Sequence, residues 1–191
     1  VLEITKELMR FKTMHKNPGE IGRCADFIMK RIKESGNTPE RIEQEGIISV
    51  RCIPPGAKLL LMSHMDVVDA SDELFEPREK DGILWGRGGL DDKYAIAISL
   101  SLMKQFPDKV GMLVTGDEEV GGKNGAKIAL QGVTDMFAIA LDGGDTTHII
   151  TKTKGICKAR LSFAGKSGHG SRPWTGVNAI EGLMEDLRRI K

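Results

Sequence analysis

Three short apolar runs, each leading straight into histidine or acidic residues, constrain this chain more than any other feature. Residues 59–62 (Leu-Leu-Leu-Met) run into Ser63-His64-Met65-Asp66, residues 110–115 into Gly116-Asp117-Glu118-Glu119, and residues 136–141 directly into Asp142. Continuous apolar runs of this length suit strands covered on both faces, as in a parallel sheet. Helical periodicity fills the intervals, over residues 92–106 and 123–131. Two amphipathic helices come first: Leu2, Ile4, Leu8, Met9 and Phe11 mark one, and Ile21, Cys24, Ala25, Phe27, Ile28 and Ile32 the other, with a break at Asn17-Pro18-Gly19. A further strand is expected around residues 47–53. Alternating strands and helices predict an α/β fold, a mostly parallel sheet flanked by helices. Ligand sites in such sheets lie beyond the carboxyl ends of the strands, so the three runs deliver their polar residues to one edge.

The pattern changes near residue 152. Lys158 and Arg160 alternate with Ala159, Leu161 and Phe163, as in a strand with one face in water. A Gly/Ser-rich loop (165–176) and a helix carrying Ile180, Leu183, Met184 and Leu187 on one face complete the sequence. We therefore divide the chain into a first domain, residues 1–153, which carries the three strand ends, and the beginning of a second α+β domain, residues 154–191. That second part is too small to bury a core of its own.

Charge excludes some partners. The 28 lysines and arginines balance 27 aspartates and glutamates, which gives no electrostatic reason to expect nucleic acid or an anionic membrane. No apolar run approaches the ~20 residues of a membrane span, and residues 1–10 do not form a signal-peptide core. Cys24, Cys52 and Cys157 are widely spaced and odd in number, so buried reduced thiols are expected rather than disulfides. A cytoplasmic protein fits these features.

The edge residues suggest their chemistry. His64 and Asp66, two apart, share a face at a strand end, which allows one to ligate a metal while the other supports the imidazole. Asp91 and Asp92, in Gly86-Arg87-Gly88-Gly89-Leu90-Asp91-Asp92-Lys93, either cap a helix or hold cations. Glu118 and Glu119 are adjacent carboxylates whose mutual repulsion a cation relieves; one is suited to ligation and the other to moving a proton during metal-assisted hydrolysis. One imidazole with several carboxylates suits zinc, with cobalt or manganese in substitution, and the carboxylate count suggests two ions. Phosphate-loop readings fail, because Asp91 replaces the last glycine of Gly86-x-Gly88 and Arg160 stands where Gly165-Lys166-Ser167 needs a glycine.

Taken in order, Ser63-His64-Met65-Asp66-Val67-Val68, the Gly86–Lys93 motif, Asp117-Glu118-Glu119-Val120-Gly121-Gly122 and Asp142-Gly143-Gly144 resemble the N-terminal portion of a family of zinc-dependent amidohydrolases and exopeptidases. That family includes acetylornithine deacetylase, succinyl-diaminopimelate desuccinylase, aminoacylase, glutamate carboxypeptidase and tripeptidase-type aminopeptidases. The resemblance implies a zinc-exopeptidase-like fold and hydrolysis of an amide bond in a small peptide or N-acyl amino acid by a metal-activated water. It implies that His64 and Asp142 hold one zinc, Glu119 the other, that Asp91 bridges both, that Asp66 orients His64, and that Glu118 is the general base and acid. A cis peptide is implied between Asp91 and Asp92. Gly165-Lys166-Ser167-Gly168-His169 resembles the start of the family's lid domain, which makes His169 the candidate substrate-binding residue and a homodimer through the lid an expectation. The family's last metal-binding histidine lies beyond the lid, so the alternative expectation is a truncated or inactive metal-binding module.

Overall fold

The computed structural model describes residues 1–143, 145, 147–156 and 158–190; Gly144 of the Asp142-Gly143-Gly144 motif and the thiol Cys157 lie outside them. Its elements are α1 (Leu2–Met9), α2 (Pro18–Glu34), β1 (Glu40–Gln44), β2 (Ile47–Cys52), β3 (Leu59–His64), β4 (Arg78–Lys80), β5 (Ile83–Trp85), α3 (Tyr94–Gln105), β6 (Val110–Thr115), α4 (Ala126–Ala129), β7 (Phe137–Ala140) and α5 (Ala179–Leu187). The chain divides into two compact units, Val1–Thr146 and Thr147–Lys191.

In the first unit five strands form one sheet in the order β1-β2-β6-β3-β7. β3 pairs in parallel with both β6 and β7, while β1, β2 and β6 are antiparallel neighbours. Every residue of β6 is buried, as its unbroken apolar sequence requires at the centre of the sheet. Alternate side chains serve the two faces. Leu61, Met112 and Val114 join the core made with α1, α2 and α3, among them Leu8, Ile28 and Ile96. Leu60 and Leu113 point the other way, to Ala129 of α4.

The apolar run at 136–141 forms the expected strand, but all four residues of β7 are exposed. β7 is the last strand of the sheet and has a neighbour only on its β3 side, so its apolar sequence meets no second layer among the described residues. The expected helix over 123–131 shortens to α4. β1 and the β4–β5 hairpin were not legible as strands, since Glu40–Gln44 is almost wholly polar and the hairpin strands have three residues each.

In the second unit α5 forms as its periodicity predicts, with the Asn178 side chain accepting a hydrogen bond from the Ile180 N–H at 3.0 Å. The alternating segment 158–163 is not a strand among the described residues; the unit has one bridge, between Lys166 and Val177. Alternation creates a strand only where a neighbour supplies the ladder of hydrogen bonds.

Candidate metal centre

Sheet register builds the site. Met62 pairs with Leu113 on one side and Ala140 on the other. Two residues further along β3 and β7 come His64 and Asp142, while β6 continues into Asp117-Glu118-Glu119. Residues up to 78 positions apart in sequence thus meet at one edge.

His64 is buried at the end of β3. Its Nδ1 lies 3.0 Å from the main-chain carbonyl of Asp66, and its Nε2 lies 2.9 Å from Oδ1 of Asp91 and 3.9 Å from Oδ2 of Asp142. A carbonyl can only accept, so Nδ1 carries a proton whether or not the ring is charged, and Nε2 is the nitrogen that faces the acids and is left for a metal. Ligand atoms of His64, Glu118 and Asp142 all fall within 4.8 Å of one another, a spacing that one cation can span. The group therefore fits a metal by geometry as well as by donor chemistry. Glu119 is outside that trio, although its main chain is held beside it.

The predicted cis peptide joins Asp91 to Asp92. The helix-cap reading of these two residues is not what the structure shows: α3 starts without a side-chain cap. Asp91 is exposed and faces the His64 ring, whereas Asp92 is fully buried and its Oδ2 accepts the His64 main-chain N–H at 3.3 Å. Lys93, also buried, donates from Nζ to the Phe11 carbonyl at 2.7 Å. This path demands glycine at position 88, where φ is +76° and a Cβ would stand 2.9 Å from Cδ of Lys93. Tyr94 Oη donates to the Leu141 carbonyl at 3.1 Å, fixing the chain just before Asp142.

Two buried carboxylates hold the acidic turn. Asp66 accepts the Glu118 N–H at 3.1 Å and the Glu119 N–H at 2.9 Å, and Asp117 accepts those of Asn124 and Gly125 at 2.9 and 3.1 Å. Sequence reasoning gave no role to Lys93, Tyr94 or Asp117, and did not foresee that Asp92 holds the His64 main chain. The only available signal was their place inside or beside the motifs.

Electrostatics shows a cluster rich in negative charge. Burial by itself would lower the His64 imidazolium, but hydrogen bonding and charge from Asp66, then Asp92 and Asp91, push it up to about 10. Burial raises Asp92 to about 7 against the opposing charge of His64. Burial first, then neighbouring carboxylates, also raises Glu118 and Glu119 above the usual range.

His169 lies in the second unit, exposed, with Nδ1 2.9 Å from Ser171 Oγ.

Comparison with known proteins gives the family and the fold. The family model for peptidase family M20/M25/M40 matches residues 60–172. The succinyl-diaminopimelate desuccinylase of Wolinella succinogenes is 28% identical over an alignment covering 100% of this chain and 56% of the relative. The acetylornithine deacetylase of Myxococcus xanthus is 30% identical, covering 87% and 48%. The chain thus spans about half the length of the curated relatives it matches. Among solved structures, a tripeptidase from Staphylococcus aureus superposes with a TM-score of 0.65 at 20% identity, covering 98% of this chain and 55% of that one. An M20 metallo-carboxypeptidase from Sulfolobus solfataricus gives 0.60 at 20% identity, covering 75% and 37%. With the motifs, the sheet and the family match in agreement, the chain belongs to peptidase family M20/M25/M40.

Proposed function

We propose that the protein is a two-zinc hydrolase that cleaves the amide bond of a small peptide or N-acyl amino acid, with cobalt or manganese able to substitute for zinc. The observation that carries the reading is the convergence of His64, Glu118 and Asp142 within 4.8 Å at the carboxyl edge of the sheet. Relatives named desuccinylase and deacetylase, and structural neighbours named tripeptidase and metallo-carboxypeptidase, support an amide bond as the target.

In this reading His64, through Nε2, and Asp142 would hold one ion and Glu119 the other, with Asp91 shared between them. Such ions would supply Lewis acidity for a water and for the scissile carbonyl. Glu118 would take a proton from the attacking water as its oxygen adds to the carbonyl carbon, and would return it to the amine nitrogen as the C–N bond breaks. Its carboxyl is suited to both halves of the transfer because burial and the acids around it raise its proton affinity. His169, from a lid beginning near residue 154, contacts the substrate, and the lid pairs two copies. Buried, unpaired Cys24 and Cys52 fit a cytoplasmic setting.

The test is Glu118→Ala, with metal equivalents measured by elemental analysis and hydrolysis assayed on dipeptides, tripeptides and N-acyl amino acids. Turnover should fall by about 100-fold or more with metal content nearly unchanged. Loss of metal would make Glu118 a ligand and overturn the division of roles.

A further inference from the structure

We propose that the Asp66 carboxylate is the positioning group of the acidic turn, gripping the Glu118 and Glu119 main chain so that the base and the neighbouring ligand are set at a fixed spacing from His64. The proposal rests on the hydrolase reading above and adds a task that orientation of His64 does not include.

Geometry separates the two tasks. The His64 ring already has an acceptor for Nδ1–H in the main-chain carbonyl of Asp66, at 3.0 Å, and the Asp66 carboxylate stands further off, at 3.4 Å. While it faces the ring at that distance, the carboxylate makes its closer contacts with two successive amides, one oxygen on each: Oδ1 accepts from Glu118 at 3.1 Å and Oδ2 from Glu119 at 2.9 Å. Its side chain is 1% exposed, so these charge-assisted bonds form out of water, where they are strongest. Other main-chain bonds of the turn are local, from Val120 and Gly122 to the Asp117 carbonyl and from Gly121 to that of Glu118. Asp66 therefore ties the turn to β3, and through β3 to His64. A carboxylate of this shape does what no neutral isostere can, since an amide has one acceptor and would turn its NH2 toward one of the two N–H groups.

The experiment uses the full chain, first metal-free, by NMR. Hydrogen-bond scalar couplings from the Glu118 and Glu119 amide nitrogens to the Asp66 carboxyl carbon are expected in the unsubstituted protein, and their absence overturns the proposal even if no variant folds. In Asp66→Asn one coupling should vanish and exchange at the Glu118 or Glu119 amide should quicken about tenfold or more. The Nδ1-protonated His64 signals should stay, since the carbonyl that holds them is main chain. Cobalt titration, followed by its visible absorption, should then show binding weakened about 10–100-fold. Unchanged amides with an altered His64 ring would instead assign the carboxylate to His64 alone and refute the proposal. Failure of the unsubstituted protein to bind cobalt would refute the metal-centre reading, while the couplings independently decide the grip on the turn.

Discussion

Asp117 offers a sharp test of how the acidic turn is held. Its side chain is 2% exposed, and both of its hydrogen bonds, from the Asn124 and Gly125 N–H groups, end on the same oxygen, Oδ2. Bonds to a charged acceptor contribute about 1.5–3 kcal/mol each, and a buried donor left without a partner costs about 1–3 kcal/mol. Asp117→Ala removes both bonds and strands the buried Gly125 N–H, so it should lower unfolding stability by about 3–6 kcal/mol. Asp117→Asn fails for a different reason. An amide oxygen at the Oδ2 position keeps both N–H groups paired, but the NH2 then takes the buried Oδ1 position, which has no hydrogen-bond partner. Giving up the charge roughly halves each bond, about 1.5–3 kcal/mol in all, and the unpartnered NH2 costs about 1–3 kcal/mol more. Urea unfolding followed by far-ultraviolet circular dichroism measures both, comparing midpoints at equal slope. Either variant within about 1 kcal/mol of the parent would refute the reasoning built on those bonds.

Two further expectations can be checked on the same material. Met112 is fully buried at the centre of β6 among α1, α2 and α3, so Met112→Ala should cost about 2–5 kcal/mol in the same unfolding experiment. Burial pushes the Cys24 and Cys52 thiols up to about 11. Because these folded-state values lie above the unfolded one, both protons are retained through neutral and mildly alkaline pH. Alkylation at pH 8 should therefore be slow in the native protein and fast in urea, read by peptide mass spectrometry; equal rates would contradict the burial of these thiols.

The strands 59–64 and 110–115 were legible because a strand at the centre of a sheet must be apolar on both faces, and that requirement is written in consecutive residues. The family resemblance was legible for a related reason: each motif is a local run, and its residues keep their identity wherever the chain takes them. The same logic misread β7, whose apolar run announces burial that the described residues do not supply, and segment 158–163, where alternation found no neighbouring strand.

Sequence by itself determined the inventory: an α/β chain, three strand ends bearing His64, Glu118, Glu119 and Asp142, and the glycine-bounded pair Asp91-Asp92. Only the tertiary structure decided which of these atoms meet. It put Asp91 against the His64 ring and Asp92 beneath its main chain, and gave the Asp66 carboxylate to amides 52 and 53 positions away. Hydrogen bonds of this kind depend on angstrom-scale register between β3 and β6, and the donor is a main-chain N–H that every residue but proline carries. A partner whose chemistry is the same at every position leaves no mark in the sequence; it becomes visible only when the sheet fixes which N–H faces which carboxylate.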